Sequence, residues 1–272
     1  MAEKTIIFQG SEIFYRIMGN GKMVMLLHGF AEDGEIWNYQ ADILKDHFTV
    51  IVPDLPGSGK SQSISPADID TYAEVIKLIL DTEQHNLPLT APGQSSLIGH
   101  SMGGYITLAF ADKYLQYLRC FGMFHSSAYA DNEEKKETRN KAINFINDKG
   151  SYAFLKTSIP GLFTKDFAEA YPEKINTLIE KGKQFTPEAL IQYYEAMIAR
   201  PDRTAVLKSF PKPVLFIIGE FDNAIPLQIS LQQCYLPEQA HVHILSNSAH
   251  MGMLEETEKS SRLLLKFLQH VG

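Results

Sequence analysis

The sequence of 272 residues has few cysteines, no long hydrophobic run and no excess of basic residues. Its two cysteines, Cys120 and Cys234, are too few for a disulfide framework, and we interpret both as structural thiols. No apolar stretch approaches the ~18 residues that a membrane-spanning helix needs, and no apolar leader follows Met1. We therefore expect a cytoplasmic protein that does not bind a membrane.

The charge balance is acidic rather than basic. Lysine and arginine total 25, aspartate and glutamate total 32, and the formal net charge is −7. Nucleic acids are bound through basic faces, so a nucleic acid is not an expected partner. Apolar residues make up 44% of the chain and charged residues 21%, which predicts a globular protein with a substantial core.

A serine flanked by glycines is the most informative feature of the chain. Ser101 lies at the centre of a G-x-S-x-G pattern, with Gly99 and Gly103 two residues away on either side. Glycine tolerates positive φ and close backbone approach, so the pattern permits a sharp bend with the hydroxyl at its tip. Residues 95–98 are typical of a short buried strand, and residues 105–111 have apolar positions at helical spacing. The pattern predicts a nucleophilic serine between a strand and a helix.

A nucleophilic serine needs an imidazole to accept its proton and a carboxylate to orient that imidazole. Asp222 follows a buried strand predicted over residues 213–218, and His250 follows a strand predicted over residues 242–245. The chain therefore offers an acid and then a histidine, each in a loop at a strand end, in the order that α/β-hydrolase enzymes use.

Five motifs, which follow one another in the expected order, resemble those of the α/β-hydrolase superfamily. They lie at residues 28–30, 54–61, 99–103, 219–222 and 248–250. The resemblance implies that Ser101 is the nucleophile, Asp222 the acid and His250 the base of a catalytic triad.

The same resemblance implies an oxyanion hole made of main-chain N–H groups. Its donors would be the amides of Phe30 and Met102, with Ala31 as a less favoured second donor. Asp131, which follows a strand predicted over residues 119–124, is an alternative triad acid, because some superfamily members take the acid from that strand.

The fold class expected is α/β. The implied α/β-hydrolase fold has a mostly parallel eight-stranded sheet flanked by helices, and the strand pattern predicts an antiparallel hairpin at its start. The earlier strands are predicted over residues 5–8, 12–18, 23–27 and 49–52, with an amphipathic helix over residues 72–81. We expect an α/β-hydrolase core at residues 1–127 and 208–272, with a helical cap inserted at residues 128–207.

The predicted cap is rich in aromatic residues and includes helical stretches at residues 167–181 and 187–199. Most of these aromatics are expected in the cap's own core, and a minority are expected to face a mostly apolar substrate pocket. No single cap residue is assigned to substrate binding.

Two patterns that could indicate a ligand are interpreted as structural. Residues 57–61 resemble a phosphate-binding loop, but Asp54 occupies the position of its first glycine. His241 and His243 lack a third metal ligand at suitable spacing, and we expect them on a partly exposed strand. The sequence predicts neither a metal site nor a cofactor.

The function expected is that of a serine hydrolase that cleaves a carboxylic ester, thioester or lactone of a small, mostly apolar substrate through an acyl-enzyme. The elbow resembles those of esterases, enol-lactone hydrolases and cofactor-free haloperoxidases. The alternative is a ligand receptor or signalling protein of the same fold that keeps the triad and turns over slowly.

Overall fold

The computed structural model describes residues 1–86 and 94–271. The strands of this part of the chain are β1 (Ala2–Phe8), β2 (Ser11–Met18), β3 (Met23–Leu27), β4 (Thr49–Pro53), β5 (Ser95–His100), β6 (Leu118–Phe124), β7 (Val214–Gly219) and β8 (Ala240–Leu245). They form one sheet in the order β1-β2-β4-β3-β5-β6-β7-β8.

The sheet is antiparallel at one end and parallel elsewhere. Strand β2 pairs antiparallel with both β1 and β4, and every other neighbouring pair is parallel. The predicted eight-stranded, mostly parallel sheet with an antiparallel start is therefore confirmed.

The centre of the sheet is buried on both faces. Every residue of β3, β4, β5 and β7 is buried, as expected for parallel strands covered by helices. The edge strand β8 instead alternates, with Val242 39% exposed and Ile244 41% exposed. The expectation of a partly exposed strand at His241 and His243 is confirmed.

The helices connect and flank the strands. They are α1 (Asn38–Leu44), α2 (Ile69–Asn86), α3 (Met102–Tyr114), α4 (Glu133–Lys149), α5 (Ser151–Ser158), α6 (Lys165–Ala170), α7 (Pro172–Lys181), α8 (Pro187–Ala199), α9 (Thr204–Ser209), α10 (Leu227–Cys234), α11 (Gly252–Glu255) and α12 (Thr257–His270). Within the described ranges, none of them is long and apolar enough to cross a bilayer.

Helices α4 to α8 all fall between β6 and β7, where the sequence predicts the cap. The prediction of one helical stretch over residues 167–181 is wrong, because α6 ends at Ala170 and α7 begins at Pro172. Proline lacks the N–H that a continuing helix needs and disfavours helical backbone in the residue before it. Tyr171 accordingly leaves the helical region, with φ −134° and ψ 54°.

Both cysteines are buried and free, as predicted. Cys120 lies in β6 and Cys234 ends α10.

The turn after β4 is held by a buried carboxylate. Asp54 accepts the N–H of Gly34 at 2.8 Å and that of Lys60 at 2.8 Å. A Cβ at Gly59 would lie 2.2 Å from the same carboxylate, so only glycine fits there. These contacts support the structural interpretation of residues 54–61.

Candidate active site

The turn between β5 and α3 holds Ser101 in a strained conformation. Its φ is 50° and its ψ −114°, a region that residues with a side chain rarely adopt. A Cβ at Gly99 would lie 2.2 Å from the carbonyl oxygen of Gly103, and one at Gly103 would lie 2.5 Å from that of Leu27. Both glycines are therefore required by close backbone contact, and the bend places half-buried Ser101 at the carboxyl edge of the sheet.

Two of the predicted triad residues are hydrogen-bonded to each other. Asp222 follows β7 and His250 follows β8, and the Nδ1 of His250 lies 2.8 Å from Oδ2 of Asp222. A carboxylate only accepts hydrogen bonds, so Nδ1 carries the proton and Nε2 of the neutral ring is left as an acceptor. The second oxygen of Asp222 accepts the N–H groups of Ala224 and Ile225, each at 2.8 Å.

The surroundings of Asp222 keep its carboxyl group ionised. Burial would raise the pKa of its carboxyl, but the imidazole of His250, which is hydrogen-bonded to it, holds that pKa well below the usual range. A permanent carboxylate at Nδ1 fixes the tautomer of His250 and stabilises its protonated form.

Asp131, the alternative acid, is engaged elsewhere. Its carboxylate lies 2.6 Å from Nε of Arg139 and 2.9 Å from a terminal nitrogen of Arg200, and all three side chains are buried or nearly so. Arg200 also lies 3.9 Å from the centre of the Tyr105 ring on α3. The cluster ties α4 and the end of α8 to α3.

The loop that carries Phe30 lies directly against the elbow. A Cβ at Gly29 would be 3.2 Å from Cβ of Ser101. The following Ala31 has φ 56°, which is a second strained residue at this edge of the sheet. Within the described parts of the chain the N–H of Phe30 has no acceptor. Met102 begins α3, where the first N–H groups have no partner inside the helix.

Two adjacent cavities open beside this loop. The inner cavity, of about 100 Å³, is mainly apolar and is lined by Phe30, by Tyr194 of α8 and by Met251, which directly follows His250. The outer cavity, of about 230 Å³, includes Lys174, Lys181 and Phe185. Ala31, Glu32 and Leu178 line both cavities, so the two share a wall.

The profile of the alpha/beta hydrolase family matches residues 24–260. The chain belongs to the alpha/beta hydrolase family.

Solved structures and curated proteins resemble this alpha/beta hydrolase along nearly its whole length. An esterase from Thermogutta terrifontis is 29% identical, with a TM-score of 0.89 over 100% of this chain and 99% of that one. The enol-lactonase from Burkholderia xenovorans LB400 is 21% identical, with a TM-score of 0.88 over 98% and 100% of the two chains. The pimeloyl-[acyl-carrier protein] methyl ester esterase of Vibrio cholerae is 22% identical over 94% of this chain and 97% of its own.

The segment predicted as the cap touches the loop that carries His250. The N–H of His250 donates to the carbonyl of Leu162 at 2.9 Å. Glu255 accepts the N–H of Thr164 at 2.7 Å and that of Ala249 at 2.9 Å. The position of the histidine therefore depends on residues 162–164 as well as on the sheet.

Of the aromatic residues in the segment predicted as the cap, Tyr194 and Phe185 line the cavities. Phe30 stacks on Tyr194 with ring centres 4.3 Å apart. Tyr193 instead bonds Ser58 and the carbonyl of Pro56, each at 2.7 Å, and so joins α8 to the turn after β4.

Sequence reasoning missed His125 at the end of β6. Its Nδ1 lies 3.3 Å from Oδ2 of Asp222 and accepts the N–H of Gly219 at 3.1 Å. Its φ of 47° makes it, with Ala31 and Ser101, the third strained residue at this edge of the sheet. The donor atoms of His125, Asp222 and His250 lie within 4.8 Å of one another, a spacing that could hold a cation, but the hydrogen bonds already use these atoms.

Proposed function

We propose that this alpha/beta hydrolase is a serine hydrolase that cleaves a small, mostly apolar carboxylic ester or lactone through an acyl-enzyme. The proposal rests on one observation: the three residues follow the ends of three strands of one sheet. Ser101 follows β5 in a strained elbow, and the bonded pair of Asp222 and His250 follows β7 and β8 of the same parallel sheet.

In the proposed reaction, Oγ of Ser101 attacks the ester carbonyl while Nε2 of His250 accepts the hydroxyl proton. Asp222 holds the Nδ1–H of His250 and stabilises the imidazolium. The N–H groups of Phe30 and Met102 stabilise the oxyanion of the tetrahedral intermediate, each contributing ~2.7–4 kcal/mol to lowering the barrier.

The intermediate then collapses. The bond from carbonyl carbon to leaving oxygen breaks, and His250 returns its proton to the departing alkoxide. A water molecule, deprotonated by the same Nε2, then attacks the acyl carbon. The bond from that carbon to Oγ of Ser101 breaks, His250 returns the proton to Oγ, and the carboxylic acid leaves.

The substrate class is inferred from the cavities. The inner cavity of about 100 Å³ is far smaller than the ~300–1,000 Å³ of pockets for drug-sized ligands, which favours a short apolar acyl group beside Phe30. Relatives named as an esterase, a methyl ester esterase and an enol-lactonase support esters and lactones. We assign residues 128–207 as the cap that covers the cavities.

The test is turnover on p-nitrophenyl acetate, butyrate and octanoate, a butyryl thioester and a butyrolactone. We expect hydrolysis of the short esters, reduced by at least ~10³-fold in Ser101→Ala. Ser209→Ala, at an exposed serine that ends α9, should match the unaltered protein.

A parallel labelling experiment separates the receptor alternative. Rapid, stoichiometric labelling of Ser101 by a fluorophosphonate together with negligible turnover on the whole panel would favour a slow ligand receptor. Turnover that is unchanged in Ser101→Ala would refute the proposed nucleophile.

A further inference from the structure

His100 precedes Ser101 and is completely buried, yet both of its ring nitrogens are hydrogen-bonded. Nδ1 lies 3.0 Å from Oε2 of Glu32, and Nε2 lies 3.0 Å from the main-chain oxygen of His250. The triad proposed above uses neither nitrogen.

The two partners decide the protonation state of the ring. A carboxylate and a carbonyl oxygen both accept hydrogen bonds, and neither has a proton to donate. A neutral imidazole carries one N–H and could satisfy only one of these acceptors. Both contacts of His100 are made together only by an imidazolium, which donates from Nδ1 and from Nε2.

Glu32 completes a buried ion pair. Its side chain is 8% exposed, and besides His100 the same Oε2 accepts the N–H of Gly29 at 2.6 Å. Burial acts against both charges, but the attraction between them lowers the pKa of Glu32 and raises that of His100. The pair therefore joins the loop of Phe30 to the loop of His250.

The geometry points to Glu32 and His100 as positioning residues. They form a buried carboxylate–imidazolium pair that holds the loop of Phe30 and the loop of His250 in fixed positions around Ser101. The inference rests on the proposed function. Neither side chain touches the reacting atoms in this scheme. Their effect is transmitted through the N–H of Gly29 and the carbonyl of His250.

The pair should make the activity of the protein depend on pH, with a loss at alkaline pH. The two acceptors favour the charged ring of His100, and the charge of Glu32 raises its pKa, so the ring loses its proton as the pH rises. The neutral ring must release either Glu32 or the carbonyl of His250, so activity should fall on the alkaline side. The other titratable groups around the pair are Asp222, which favours the charged form of His100, and His28, His125 and His250.

The first test is the pH profile of kcat in Glu32→Gln, which keeps the shape of the side chain and removes its charge. We expect kcat to fall about 10- to 100-fold with KM changed less than about threefold. The alkaline limb should move to lower pH by about one unit or more, because the opposite charge beside His100 is lost. In His100→Gln, which cannot become charged, this limb should disappear.

The matched control is Glu83→Gln. Glu83 is also a buried carboxylate, but it bonds Tyr15 and Lys4 away from the site. Its substitution should lower stability without moving the alkaline limb. An alkaline limb and kcat in Glu32→Gln equal to those of the unaltered protein would overturn the positioning role.

Nitrogen-15 NMR of histidine-labelled protein provides a readout that does not require a folded variant of Glu32. The His100 resonances, assigned by comparison with His100→Gln, should show two protonated ring nitrogens at pH 7. A neutral ring at that pH would overturn the ion pair. Failure of the proposed function itself would be seen separately, as absence of Ser101-dependent turnover in the unaltered protein.

Discussion

His125 places a second imidazole against Asp222, with its Nδ1 3.3 Å from the carboxylate oxygen that binds His250. Burial lowers the pKa of His125 to about 4, so this ring stays neutral beside the charged carboxylate. Its Nε2 is buried without a partner within the described residues, and a Cβ at Gly252 would lie 2.4 Å from it. His125 is enclosed on this side, so protonating it would bury a positive charge.

The folded protein should therefore lose stability as the medium becomes acidic. Unfolded histidine titrates near 6.5, whereas folded His125 titrates near 4, so below pH 6.5 the unfolded state binds the extra proton. We expect the free energy of unfolding to fall by about 2 kcal/mol between pH 7 and pH 5 from this residue. Chemical denaturation across this range measures the change.

His125→Asn should remove most of that slope. Asparagine tolerates the positive φ of 47° at this position and does not titrate. Exposed His47 supplies the control, since His47→Asn should leave the slope unchanged. A slope that is the same in both variants would show that His125 does not titrate as described.

Substitution of the two candidate acids should have different consequences. Asp222→Asn should lower kcat by ~10⁴-fold, because the amide no longer fixes the proton on Nδ1 of His250. Asp131→Asn leaves the charges of Arg139 and Arg200 without their partner, so it should lower the free energy of unfolding by about 3 kcal/mol.

The activity of folded Asp131→Asn separates the two assignments. Measured well below its melting temperature, its kcat should stay within about tenfold of the unaltered value. A loss as large as that of Asp222→Asn would make Asp131 the triad acid.

Leu178 is half-buried on the wall shared by the two cavities, so it should limit the length of the acyl group. Leu178→Ala would join the cavities and raise the ratio of kcat/KM for octanoyl over butyryl p-nitrophenyl ester by about tenfold or more. Leu227→Ala, at a half-buried leucine at the start of α10, should leave the ratio unchanged. A constant ratio in both variants would place the acyl group elsewhere.

Much of the fold and the candidate triad could be predicted because their signals are local. A strand followed by a polar residue in a loop is visible in the sequence at Asp222 and at His250. The same signal also marks His125, which directly follows β6, and applying it to every strand would have found that residue. The missed break before α7 had a local signal too, in Pro172.

The pair of Glu32 and His100 had no such signal. His100 is buried and hydrogen-bonded on both ring nitrogens. Its partner lies 68 residues away and is brought close because β3 pairs with β5, with Leu27 opposite Gly99. That strand order is a property of the assembled sheet, so the ion pair could be recognised only in three dimensions.

Detection of the covalent intermediate is the most direct test of Ser101 as the nucleophile. The protein would be quenched with acid during turnover of p-nitrophenyl butyrate, digested and analysed by mass spectrometry. We predict a butyryl group on the peptide that contains Ser101, at Ser101 itself, and neither adduct nor turnover in Ser101→Ala. Continued turnover by Ser101→Ala, or a butyryl group on a different side chain of the active protein, would contradict the proposal that Ser101 forms the acyl-enzyme.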